Sequence, residues 1–103
     1  MGLNVSLKKD VYSAGITHNV GKMAEEAGIY SCLWTPEDVC IYCAEDLIEP
    51  LTKGLELLES DPERFEKFNA SNGWGTYEYF VPFVRNYLKA CIMFPEAEVV
   101  ADR

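Results

Sequence analysis

One histidine, His18, serves the whole chain of 103 residues. A catalytic triad or a histidine-based metal centre would therefore rest on that single side chain. Basic residues are scarce as well: nine Lys and Arg stand against seventeen Asp and Glu, a net charge of −8. An acidic chain repels phosphate backbones, which argues against general binding to nucleic acid. No apolar run approaches the roughly 20 residues that a membrane-spanning helix needs. No G-x-S-x-G elbow, P-loop or dinucleotide fingerprint occurs. Cys40-Ile41-Tyr42-Cys43 has C-x-x-C spacing but no second knuckle, and a structural zinc needs four ligands. The segment before Cys40 does not read as the strand that a thioredoxin-like site requires. No metal, no cofactor and no enzymatic constellation is expected.

What the chain does hold is a core. About half of it is apolar, with two Trp, six Tyr and five Phe, enough to argue for one folded domain over residues 1–103. The four cysteines (Cys32, Cys40, Cys43, Cys91) follow no secretory signal, so free thiols and a cytoplasmic setting are expected. Met1-Gly2-Leu3-Asn4-Val5-Ser6 fits the loose myristoylation pattern, a common chance match.

The fold expected is α+β and mainly helical: about four helices and a minor two-stranded element made by the chain ends. Leu3–Leu7 alternates apolar and polar residues as a half-buried strand does, and residues 97–101 supply a second short strand to pair with it. The first helix is expected from Thr17, as N-cap, to Ala27, with Gly28 as its left-handed terminator. Thr35-Pro36-Glu37-Asp38 and Ser60-Asp61-Pro62-Glu63 are helix-start signals. Between them runs a helix with the stripe Leu47, Ile48, Leu51, Leu55 and Leu58. Asp46 and Glu49 have the spacing of a capping box for it, Pro50 belongs near its start, and Gly54 weakens its middle and permits a close helix contact. Residues 69–75 are a loop, Thr76 caps the last helix from Tyr77 to about Phe94, and Pro82 kinks it.

Two polar–aromatic clusters stand out. Thr17-His18-Asn19 is either plain capping or an anion site at free backbone N–H groups. Asn72-Gly73-Trp74-Gly75-Thr76-Tyr77 is either a plug, with Trp74 buried between two helices, or a pocket wall that stacks a flat ligand. Read together, Thr17, His18, Asn19, Lys22, Trp74, Tyr77 and Arg85 (or Lys89) are the candidate ligand-binding residues.

The pattern resembles a family of small proteins encoded by phages and prophage-like elements. It is carried by Ile16-Thr17-His18-Asn19, Glu26-Ala27-Gly28-Ile29-Tyr30, Leu33-Trp34, Pro36-Glu37, Leu47-Ile48-Glu49-Pro50-Leu51, Asp61-Pro62-Glu63 and Asn72-Gly73-Trp74-Gly75-Thr76-Tyr77. The resemblance spans nearly the whole chain and omits the Cys40–Cys43 pair. It implies an accessory role in the host cell, counter-defence by stoichiometric binding, rather than a reaction. The partner expected is a small nucleotide-like ligand held by the two clusters. The alternative is a host defence protein whose basic surface meets the segment Glu25–Glu66. That segment holds twelve acidic residues against Lys53 and Arg64. Self-association is compatible with either; a membrane is not expected.

Overall fold

The computed structural model describes residues 2–7, 12–70, 73 and 75–102. Their order is β1 (Gly2–Leu7), β2 (Tyr12–Thr17), a 3-10 turn (His18–Val20), α1 (Gly21–Glu26) and α2 (Tyr30–Trp34). A second 3-10 turn (Pro36–Val39), α3 (Ala44–Ser60), α4 (Pro62–Glu66), α5 (Tyr77–Met93) and β3 (Val99–Asp102) complete it. The class is α+β. The sheet is antiparallel and three-stranded, in the order β2-β1-β3.

Strand β1 forms because its apolar residues recur with the strand period of two. Leu3, Val5 and Leu7 point inward and are fully covered. The chain ends do pair: Leu7 stands opposite Val99 and Val5 opposite Ala101. The two-stranded expectation missed β2, which pairs along the other side of β1 from Gly2↔Thr17 to Leu7↔Tyr12. Tyr12, Ala14 and Ile16 do alternate with Ser13 and Gly15 at the strand period, but the small residues Ser13, Ala14 and Gly15 make the signal weaker than that of β1. The segment is extended because β1 supplies the hydrogen bonds and α5 covers its inner face, where Tyr12 stacks on Tyr87 at 5.9 Å.

The early helix also differs from expectation. Thr17 ends β2 and caps a 3-10 turn, its Oγ1 accepting from the Asn19 N–H at 3.3 Å. Only from Gly21 does the chain become α-helical. Gly28, at φ 77°, ends this segment in the left-handed conformation expected of it.

Helices α3 and α5 pack on each other, and α5 lies against β2 of the sheet. Leu47, Leu51 and Leu58 of α3 meet the apolar side of α5, where Phe80, Val84, Tyr87 and Cys91 are buried. Gly54 does allow a close approach, but not to a helix as expected: a Cβ there would collide with the side chain of Ile29, the residue just before α2. The N-terminal box of α3 lies three residues earlier than the sequence implies. Cys43 is the N-cap, and the Asp46 carboxylate reaches back to accept from the N–H groups of Tyr42 and Cys43, each at 3.2 Å. Pro50 consequently sits in the second turn of the helix rather than the first. Thr76 is the N-cap residue of α5, but the acceptor that satisfies the Tyr77 N–H is Asn69 Oδ1, at 2.7 Å.

All four cysteines are free thiols. Cys32 and Cys91 are buried, and burial pushes each thiol up from 9.0 to about 12, because the thiolate is the form that loses hydration. Burial also raises Tyr87 and Tyr12. Below the ordinary thiol value both folded and unfolded chains keep these protons, so the stabilisation is fully present. Between 9.0 and about 12 the unfolded chain ionises first and the fold loses stability as pH rises. The urea midpoint should therefore drop between about pH 8 and about pH 10.5. A Cys32→Ala/Cys91→Ala variant should show a shallower drop over the same range. An equal slope in parent and variant would remove the two thiols as its source.

Candidate functional site

The open end of the β1–β2 pair, with Gly73 and Gly75, borders an open cleft of ≈ 650 Å3. Its floor is Gly2, Leu3 and Asn4 of β1 with Gly15, Ile16 and Thr17 of β2. Gly73 and Gly75 form one wall, and Tyr79, 64% exposed in the first turn of α5, stands at the rim. None of these residues carries a charged side chain.

The cleft joins parts of the two clusters marked in the sequence. Gly75 adopts φ 95°, a conformation that side chains resist. A Cβ there would lie 2.7 Å from Asn19 Cβ and 2.9 Å from Thr17 Cγ2. The loop backbone is thus laid directly on the Thr17–Asn19 turn, closer than any larger residue allows. Behind that turn, the His18 ring tilts against Trp34 at 5.9 Å and Tyr30 stacks on the same indole at 4.9 Å. Trp34 is buried, so it acts as a fixed platform under the turn.

The other candidates are dispersed. Lys22 is exposed on α1 and does not line the cleft. The Tyr77 hydroxyl donates to the Leu58 carbonyl at 2.7 Å, tying α5 to the end of α3. Burial, and then the carboxylates of Glu59 and Glu66, raise the Tyr77 pKa. Arg85 is bonded to Glu59 at 2.7 Å, on the α3 side of α5. Lys89 is exposed on α5. Trp74 and Asn72 lie outside the described residues, and with them the expectation that Trp74 is buried between two helices. Among the described residues, no group of three or more His, Cys, Asp or Glu side chains is gathered for a metal ion.

Sequence reasoning missed Asn4, Gly15 and Tyr79. Asn4 and Gly15 meet only because β2 pairs with β1, with Asn4 opposite Gly15. Tyr79 did leave a signal: an aromatic residue lying off the buried stripe of its helix.

The carboxylates of α3 have an order of their own. Glu45, Glu49, Glu56 and Glu59 recur at helical spacing on the solvent side, opposite Leu47, Leu51 and Leu58. Glu49 pairs with Lys53 at 3.0 Å and Glu59 with Arg85. No helix among the described residues is long and apolar enough to cross a membrane. No protein-family model, curated protein or solved structure matches the chain.

Replacing Gly75 by Ala should cost about 1–3 kcal/mol, since the new side chain meets both backbone strain and Asn19. Gly73 has φ 79° but open space around it, so Gly73→Ala should cost only about 1 kcal/mol of conformational strain. Urea unfolding of both variants measures the difference, and equal losses would mean that the packing of Gly75 on Thr17 and Asn19 contributes nothing.

Proposed function

We propose that this protein is a non-enzymatic binding module that sequesters a small nucleotide-like ligand in the cleft between the β1–β2 end and the wall made by Gly73 and Gly75. The observation that carries this reading is the convergence of Thr17 with Gly73 and Gly75, distant in sequence, on one concavity. Its size falls within the range of about 300–1,000 Å3 common for small-molecule sites. Glycine walls let a ligand approach backbone N–H and C=O groups, and Tyr79 offers an aromatic face. A preformed cleft with little chemistry of its own suits stoichiometric capture. The setting, counter-defence by a phage-type accessory protein in the host cytoplasm, comes from the sequence resemblance alone.

Calorimetric titration with linear and cyclic nucleotides is the test. One compound should saturate the protein at one molecule per chain, and Gly75→Ala should weaken that binding. No heat from any of them at high micromolar concentration would defeat the proposal.

A second reading rests on the α3 stripe, where Glu45 and Glu56 extend the ion-paired Glu49 and Glu59 into one acidic face suited to a basic host surface. A host protein recovered at low salt by the parent, and lost with Glu45→Lys/Glu56→Lys, would support it. Recovery that ignores the double change would remove it.

A further inference from the structure

We propose that Asn4 reads the edge of the ligand's ring and that the cleft receives a nucleobase, with the phosphate, where present, left outside. The inference rests on the ligand-site reading above and names which part of the ligand is recognised.

Asn4 is placed for this by the pleat of β1. Leu3 and Val5 on either side of it point into the core, so Asn4 points out onto the uncovered face. Across the ladder stands Gly15. A Cβ on Gly15 would lie only 2.7 Å from Asn4 Oδ1. The carboxamide therefore lies across the neighbouring strand, in space that only glycine leaves open, on the floor of the cleft. A carboxamide presents an acceptor and donors side by side. That pairing matches the donor–acceptor edges of nucleobases, which Asn reads in two-point contacts. Tyr79 at the rim supplies the ring face on which a base can stack.

The charges favour the base over the phosphate. No charged side chain lies among the described lining residues. Arg85, one of the cations expected to meet a phosphate, is held by Glu59, and Lys22 does not line the cleft. On the other side of Asn4, β3 places Asp102 directly opposite it. Neighbouring strands are about 4.8 Å apart, so a carboxylate stands beside the floor of the site and repels an anion.

The test is calorimetric titration of the purified protein with adenosine, guanosine, cytidine and uridine and with their 5′-monophosphates. One base should be preferred, and its nucleoside and monophosphate should bind within about threefold of each other, because no cationic side chain lies among the described lining residues. Asn4→Ala should weaken the preferred compound by about tenfold or more and flatten the preference among bases. Gly15→Ala, which keeps Asn4 but displaces its Oδ1, should act in the same direction. Ser6→Ala, the next outward position of β1, should leave binding unchanged, and melting curves check that each variant is folded. Two results would overturn the inference while leaving the ligand site standing: an unchanged order of bases in Asn4→Ala, or monophosphates binding more than about tenfold tighter than nucleosides. If no compound in the panel binds, the ligand-site reading falls and this inference falls with it.

Discussion

Hydrogen bonding of β1 to strands on both of its sides is the constraint on which the rest of the molecule depends. β2 follows β1 closely in sequence, whereas β3 arrives from the far end of the chain after every helix. A strand in the centre of a sheet must satisfy N–H and C=O groups on both edges, and leaving them unpaired in a buried setting is costly. The return of β3 therefore closes the fold. It also anchors the start of α3, whose first N–H groups, on Ala44 and Glu45, donate to the Ala97 and Pro95 carbonyls between α5 and β3. Strand closure and helix placement are thus linked, with Leu3, Val5 and Leu7 buried in the same apolar core as the inward residues of α3 and α5.

Close approach is the second organising feature. Gly54 lets α3 contact Ile29, and Gly75 lets the loop backbone rest on Thr17 and Asn19. At both places the missing side chain is replaced by a neighbour's atoms, so that packing continues where a larger residue would force the elements apart. The cleft lies where this filling stops. At the open end of the sheet, the helices cover only the inner face of the strands, and the outward residues are small or polar: Gly2, Asn4, Gly15 and Thr17. Chemistry there depends on backbone groups, one carboxamide and one phenol rather than on charge. Carboxylates stand nearby and elsewhere rather than among the described lining residues: Asp102 faces Asn4 from β3, and Glu45, Glu49, Glu56 and Glu59 run along the solvent face of α3.

Much of the local structure was legible in the residues. The alternation of Leu3, Val5 and Leu7 marked β1, the Leu47–Leu58 stripe marked α3, Asp61-Pro62 marked the start of α4, and Gly28 marked a left-handed stop. These are short-range effects, in which each residue's own covalent geometry or apolar area decides the outcome. The capping residues were less legible. Cys43 caps α3 where Asp46 was expected, and Asn69 serves α5 in place of the Thr76 side chain. Any nearby polar group can accept a helix N–H, and only the path of the loop selects which one does.

The sequence by itself determined the class of the fold, the apolar residues that build its core and the existence of two polar–aromatic clusters. Tertiary structure decided what Tyr12–Thr17 pairs with: its alternation is diluted by Ser13, Ala14 and Gly15, and its ladder hydrogen bonds come from β1. It also decided which cluster residues meet. Thr17, Gly73 and Gly75 share the cleft with Asn4, Gly15 and Tyr79, while Tyr77 and Arg85 are turned to α3 by Leu58 and Glu59. Residue type shows which groups are able to bind, but strand register and the rotation of α5 determine which of them face the same space.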